Sequence, residues 1–175
     1  MRAAGRPPTG FGHYLRDLVY GALDGGITTM AVVAGTAGAQ LPPRVGVVLG
    51  LANLFGDGLS MGAGNYLALK TELEQAQRSV AEEAPWRHGL ATFVAFVVVG
   101  TVPLLGYVAS SLLRVSTLAA AGVLSAVALL VTGAARAPFV RRPVWRSALE
   151  MLTVGAAAGG AAFAVGALAN RLVGG

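Results

Sequence analysis

Two aspartates lie inside the first two strongly apolar stretches of the sequence, Asp24 in residues 17–39 and Asp57 in residues 45–68. A charged side chain at the centre of a bilayer costs at least about 2.5 kcal/mol, so an acid in such a position indicates a functional site. Asp17 precedes Asp24 by seven positions, which places both on one face of a helix. Paired carboxylates of this kind can bind a divalent cation or two protons.

Polar residues recur at every fourth position of the second apolar stretch, at Asn53, Asp57, Met61 and Asn65. Such spacing places them on one stripe of a helix. If this stripe faces Asp24, the two helices enclose carboxylates, amide oxygens and a thioether. Oxygen ligands suit hard or borderline cations, and a thioether adds a preference for softer transition metals. The predicted metal-site residues are Asp24, Met61, Asp57, Asp17, Asn65 and Asn53, with Asp24 and Asp57 also carrying protons.

Each of these residues also has a purely structural interpretation. Asp17 follows Arg16 in a first helical turn, where an acid complements the helix dipole. Met61 can be ordinary packing. Asn53 and Asn65 can form hydrogen bonds between helices. Asp24 and Asp57 can be a buried ionisable pair or neutral acids bonded to backbone.

The composition identifies the elements that must position these residues. The 175 residues are 55% hydrophobic and 12% charged, whereas soluble domains carry about 25% charged residues. Crossing a bilayer takes about 20 mostly apolar residues. Five windows satisfy this length, at residues 17–39, 45–68, 90–112, 116–135 and 148–170. We therefore predict an all-α integral membrane protein, a five-transmembrane-helix bundle over residues 17–175 that follows a cytosolic N-terminal segment, 1–16.

The basic residues predict the orientation of this bundle. Ten of the 13 fall at one end, namely Arg2, Arg6, Arg16, Lys70, Arg78, Arg87, Arg136, Arg141, Arg142 and Arg146. Only Arg44, Arg114 and Arg171 fall at the other end. Because loops rich in Lys and Arg remain in the cytosol, the N-terminus is predicted to be cytosolic. The scattering of these residues among apolar segments argues against nucleic-acid binding.

The linker at residues 69–89 and the two histidines give weaker signals. Its acids Glu72, Glu74, Glu82 and Glu83 alternate with basic residues, which favours a solvated helix face over a metal-collecting site. His13 and His88 only flank apolar segments, and cysteine is absent, so no zinc signature is present. Glycines four positions apart, at Gly46/Gly50, Gly58/Gly62 and Gly155/Gly159, would permit close contacts between helices or between two copies of the chain.

Several short motifs together resemble those of the vacuolar iron transporter family. They are Arg16-Asp17, Gly21, Asp24-Gly25, Val33-Ala34-Gly35, Gly50-Leu51-Ala52-Asn53, Ser60-Met61-Gly62 and Tyr66-Leu67. Thr92-Phe93, Pro103-Leu104 and the glycine-rich last segment fit the same five-helix plan more loosely. The resemblance is to a short form, because the glutamate-rich cytosolic domain of the iron-storing branch has no counterpart in the linker. The sequence also has Asn65 where many members have Glu.

The resemblance implies export of cytosolic ferrous iron, and often manganese, into vacuoles or out of bacterial cells. It implies a homodimer with the pathway near the subunit interface. It also implies that an intramembrane aspartate and a methionine carry the metal, which correspond to Asp24 and Met61, and that Asp17 lies near the cytosolic entrance. The membrane is then a bacterial plasma membrane or an organelle membrane such as that of the vacuole.

Charge balance favours proton antiport, because one divalent cation or two protons neutralise two carboxylates. The predicted function is therefore metal/proton antiport of Fe2+ or Mn2+ without a bound cofactor. Three alternatives are a two-aspartate metal-dependent membrane enzyme, an uncoupled metal channel and a non-transporting membrane scaffold. The enzyme is disfavoured because Asp24-Gly25-Gly26 lacks the arginine and second acid of phosphatidyl-alcohol transferases, and no Ser/His or Cys/His set offers other chemistry.

Overall fold

A computed structural model of the protein describes residues 11–173, which form helices joined by short connections. The helices are α1 (Phe11–Gly38), α2 (Pro43–Gln75), α3 (Val80–Glu83), α4 (Pro85–Leu113), α5 (Thr117–Val140) and α6 (Val144–Val173). Five of these are long and apolar enough to cross a membrane. The prediction of an all-α, five-helix membrane protein is confirmed. Arg2, Arg6 and most of the predicted N-terminal segment lie outside the described residues.

The helices extend beyond the predicted spans at most ends. The second helix continues through Lys70 to Gln75, where the chain is too polar for a hydropathy window but remains a good helix former. The third long helix begins at Pro85, five residues before the predicted span. Proline suits the first position of a helix, because an N–H there would have no acceptor within the helix. Hydropathy therefore identifies the part of each helix that meets lipid, and not the whole helix.

Helix α1 lies at the centre of the bundle and contacts α2, α4, α5 and α6, most extensively α4. This contact depends on glycine: a Cβ at Gly21 would overlap the backbone of Thr92, and one at Gly25 the backbone of Phe96. At the other end of α1, Gly38 lies against the backbone of Phe163 in α6. Close approach of backbones through small residues is typical of membrane helices.

Helix α2 packs on α4 through glycines at four-residue intervals. Gly46, Gly50, Gly58 and Gly62 are all buried, and side chains or backbone of α4 occupy the space a Cβ would need. At Gly62 that neighbour is the backbone of Gly89. In α6, Gly155 faces Leu129, and Gly159 faces Met30 at van der Waals distance. These predicted small-residue pairs therefore mediate contacts within one chain.

The apolar core lies where α1, α2, α4 and α5 meet. It consists of Val33, Leu54, Phe96, Leu104 and Ala121. Large apolar side chains also cover the outside of the bundle, including Val48, Val98, Val131 and Leu168. An apolar exterior around fully hydrogen-bonded helices is the arrangement that hydrocarbon requires. The polar residues of α1 and α2 are therefore exceptional in their surroundings.

Candidate metal pathway between α1 and α2

The polar residues of α1 and α2 meet along one line of contact, which we call the α1–α2 seam. Asn65 bonds to Asp17, and Asn53 bonds to Thr28. These two contacts fix the register of the helices, and this register places Asp24 of α1 level with Asp57 of α2. Asp17 precedes Thr28 along α1, whereas their partners occur in the opposite order along α2, so the two helices are antiparallel. Asn53 and Asn65 of the predicted stripe thus contact α1, the helix that carries Asp17 and Asp24.

Asp17 forms the polar centre at the first end of the seam and is only 2% exposed. His88 Nδ1 lies 2.5 Å from its Oδ2, and the amide nitrogen of Asn65 lies 2.9 Å from its Oδ1. Arg16 Nε is more distant, at 3.7 Å from Oδ1. Helices α1, α2 and α4 are therefore joined through one carboxylate, which does more than complement the dipole of its own helix.

Asn65 extends this polar centre into α4. Its amide nitrogen also lies 2.7 Å from Thr92 Oγ1 and 3.3 Å from the carbonyl oxygen of His88. The Thr92 hydroxyl in turn donates to that same carbonyl oxygen over 3.1 Å. The structural interpretation of Asn65, an interhelical hydrogen-bonding group, is thus realised. Its role as a metal ligand stays a prediction.

Asp24 and Asp57 form the middle of the seam and have a different environment. Asp24 is half-buried, whereas Asp57 is exposed on the outer side of α2. Within residues 11–173 neither carboxylate forms a salt bridge. The nearby hydroxyl of Thr28 donates to the backbone oxygen of Asp24, over 2.8 Å, and not to its carboxylate. Two acids at the same level of an apolar bundle therefore lack a salt-bridge partner among the described residues.

Met61 and Asn53 complete the predicted set. Met61 is half-buried and packs against the apolar core, so its packing role is present in the structure. The amide of Asn53 donates to Thr28 Oγ1 over 3.3 Å, again the structural interpretation. Neither contact tests whether these residues bind metal, and both remain predicted ligands.

A cavity of about 330 Å³ opens beside Asp17 and is lined by Arg16, Asp17, Tyr20 and Asn65. It lies at the end of the seam where α1 begins. These four side chains all carry polar groups, whereas the cavity between α1, α5 and α6 is lined by residues such as Ile27, Leu129 and Phe163.

Sequence reasoning missed a cluster of ionisable groups at the same end. His88 Nε2 lies 3.1 Å from His13 Nε2, which lies 3.5 Å from Glu83 Oε1. Glu72, Glu74 and Glu82 are exposed, as a solvated linker predicts, but Glu83 is half-buried. The sequence did contain one signal for this cluster. His13 precedes the first predicted span and His88 the third, and because these two spans cross the membrane in the same direction, both histidines lie at the same end of the bundle.

Comparison with known proteins identifies the family. A model described as the VIT family matches residues 15–84 and 79–167. A vacuolar iron transporter of Toxoplasma gondii is 26% identical, over 92% of this chain and 76% of its own length. Vacuolar iron transporter 1 of Eucalyptus grandis is 24% identical, over 87% of this chain and 85% of its own length. Vacuolar iron transporter homolog 5 of Oryza sativa is 30% identical, over 86% and 78% respectively.

These matches cover all five membrane helices at least in part, so they concern the whole bundle and not one motif. The relatives are named as transporters, which confirms the prediction that the protein is not an enzyme. They also confirm the resemblance inferred from the motifs of the first two helices. The chain is a multi-pass integral membrane protein, and it belongs to the VIT family of metal transporters.

Proposed function

We propose that the protein exports a divalent transition metal, Fe2+ or Mn2+, from the cytosol by exchange for protons at Asp24 and Asp57. The observation that carries this proposal is a pair of carboxylates, Asp24 and Asp57, that lie at the same level of α1 and α2 and have no salt-bridge partner among the described residues. An uncompensated pair of acids in an apolar bundle is costly. Binding of a divalent cation removes that cost, and so does binding of two protons.

The surrounding side chains favour a transition metal over Mg2+ or Ca2+. Met61 lies one turn from Asp57 on α2 and contributes a thioether, which favours softer cations. Asn53 and Asn65 lie one and two turns from Asp57 along the same helix and contribute amide oxygens. Asp17 lies beside the polar cavity at the proposed cytosolic entrance. A cation would then move along the seam from Asp17 towards Asp24.

Exposure of Asp57 supports a homodimer as the transporting unit. In one chain this carboxylate lies on the outer surface of α2, where it would contact lipid. On the same side, a Cβ at Gly64 would meet no atom within 4 Å. A second copy of the chain packed against this face of α2 would shield Asp57 from lipid and enclose the proposed metal site. The proton-coupled pathway then lies next to the subunit interface.

The proposal is tested by transport in proteoliposomes whose inside is more acidic than the outside, so that protons leaving the vesicle drive uptake of the metal. Asp24→Asn keeps the side-chain size but removes the charge, and uptake of Fe2+ or Mn2+ should fall at least tenfold. Glu82→Gln removes an exposed acid away from the seam and serves as the matched control. Transport by Asp24→Asn at the wild-type rate would contradict the proposal.

Simultaneous measurement of internal pH separates antiport from the alternatives. Antiport requires proton movement that depends on the metal and is absent in Asp24→Asn. An uncoupled channel passes metal without proton flux, and a non-transporting scaffold passes neither. Competition among Fe2+, Mn2+, Co2+ and Zn2+ in the same assay identifies the preferred cation. Localisation of the tagged protein distinguishes a plasma membrane from an organelle membrane such as the vacuole.

A further inference from the structure

We propose that His13, Glu83 and His88 form a second transition-metal site, distinct from the acids in the middle of the α1–α2 seam. The three residues come from three elements that meet at one end of the bundle. His13 lies in the first turn of α1, Glu83 ends α3, and His88 lies in the first turn of α4. His88 is buried, whereas His13 and Glu83 are half-buried and accessible from the aqueous side.

The connection between α3 and α4 brings Glu83 to the histidines. Ala84 adopts a left-handed conformation with φ of 49°, which ends α3 immediately before α4 begins at Pro85. Ser79 caps α3 by accepting from the N–H of Glu82 over 3.4 Å. Arg78 Nη2 lies 3.6 Å from Glu83 Oε2, which leaves Oε1 directed to His13.

The distances match those between ligands that share one metal ion. The three donor atoms all lie within 4.8 Å of one another. His13 Nε2 is 3.1 Å from His88 Nε2 and 3.5 Å from Glu83 Oε1. Around an ion with bonds of about 2.1 Å, tetrahedral or octahedral geometry places neighbouring ligand atoms about 3.0–3.4 Å apart. Only the remaining pair, His88 and Glu83, must approach for the ion to contact all three.

Asp17 supplies the outer hydrogen bond that metal-binding histidines usually have. Its carboxylate oxygen Oδ2 lies 2.5 Å from His88 Nδ1. Because a carboxylate accepts, Nδ1 donates to Asp17, so Nε2 is the ring atom that can bind a metal. That atom is the one directed at His13. A carboxylate behind a histidine fixes the ring orientation and raises its basicity as a ligand.

Two imidazoles and one carboxylate define the class of cation. This set binds Zn2+, Fe2+, Co2+ and Mn2+ and discriminates against Ca2+ and Mg2+, which require more oxygen ligands. Three protein ligands leave coordination positions for water, so the ion can be exchanged. Asp17 also borders the polar cavity next to the seam. Use of the site to receive the cation before transport rests on the proposed function, but binding itself does not.

The test uses the purified full chain in detergent micelles with Co2+ as the probe. Visible absorption of Co2+ reports its ligands, and competition by Zn2+ extends the titration to tighter binding. We expect one site with nitrogen ligation, distinguished by its absorption from any Co2+ held by the oxygen and sulfur atoms of the seam, and its affinity should fall at least tenfold in His13→Ala and in Glu83→Gln. Glu82→Gln removes the neighbouring exposed carboxylate and should bind as the wild type does.

Two controls keep the result interpretable. The thermal unfolding of each variant is compared first, and X-ray absorption then counts imidazole ligands on the bound metal, with two expected in the wild type and one in His13→Ala. A hydrogen-bonded chain of Asp17, His88 and His13 that binds no metal would give no imidazole on Co2+ and would overturn the proposal. Equal affinity in wild type and His13→Ala would also overturn it. Neither measurement involves transport, so this proposal and the antiport proposal can fail independently.

Discussion

Asp17 and Asp24 lie seven positions apart on the same helix and face the same neighbour, yet their surroundings differ. Asp17 is 2% exposed and bonds to His88 and Asn65. Asp24 is half-buried, and its charge opposes that of Asp57. The first acid joins helices, whereas the second is left with an uncompensated charge. The contrast shows that a carboxylate within a membrane domain can stabilise the architecture or provide reversible chemistry, depending on its partners.

The largest effect that separates the two acids should be on stability. Asp17→Ala leaves the buried groups of His88 and Asn65 without their shared acceptor, and we expect it to lower the free energy of unfolding by about 2–4 kcal/mol. Asp24→Asn should change it by less than about 1 kcal/mol, because it removes a repulsion and no side-chain hydrogen bond. Reversible unfolding in mixed detergent micelles measures both. Equal losses in the two variants would remove the distinction.

The next largest effect should be on the dissociation constant of the proposed dimer, if a second copy of the chain packs against the surface of α2 beside Asp57. Gly64→Leu adds a large side chain where the single chain has open space, and should weaken the proposed dimer at least tenfold, about 1.4 kcal/mol. Gly160→Leu is the matched control, because it also adds leucine to an open position, on α6. Single-molecule photobleaching in liposomes over a range of dilutions gives both dissociation constants. Dimers of Gly64→Leu as tight as those of Gly160→Leu would place the interface elsewhere.

The smallest expected effect is a difference in the free energy of unfolding between variants of the two asparagines of the seam. Asn53 makes one hydrogen bond of 3.3 Å to Thr28, and its replacement by alanine should cost less than about 1 kcal/mol of stability. Asn65→Ala removes contacts with both Asp17 and Thr92 and should cost more, about 1–2 kcal/mol. The same unfolding assay compares them. A larger loss at Asn53 would mean that the middle of the seam, and not the Asp17 end, holds α2 in place.

Local sequence patterns predicted the bundle and the seam because both depend on periodicity along single helices. Hydropathy located five helices, and four-residue spacing located the stripe that contains Asn53 and Asn65. The cluster of His13 and His88 was not predictable in this way, since the two residues are 75 positions apart and each one flanks an apolar segment. The approach of Glu83 depends on the left-handed conformation of Ala84, which no local preference of alanine indicates.

The central position of α1 also has a consequence for the synthesis of the protein. Its most extensive contacts are with α4 and α6, which emerge from the ribosome later. His88, the buried partner of Asp17, follows that residue by 71 positions. If α1 enters the bilayer first, its acids lack these partners until the later helices are inserted. During that time the insertion machinery or the lipid headgroups must keep the carboxylates solvated. Early insertion is then the stage at which Asp17 is a liability, although in the finished bundle it joins three helices.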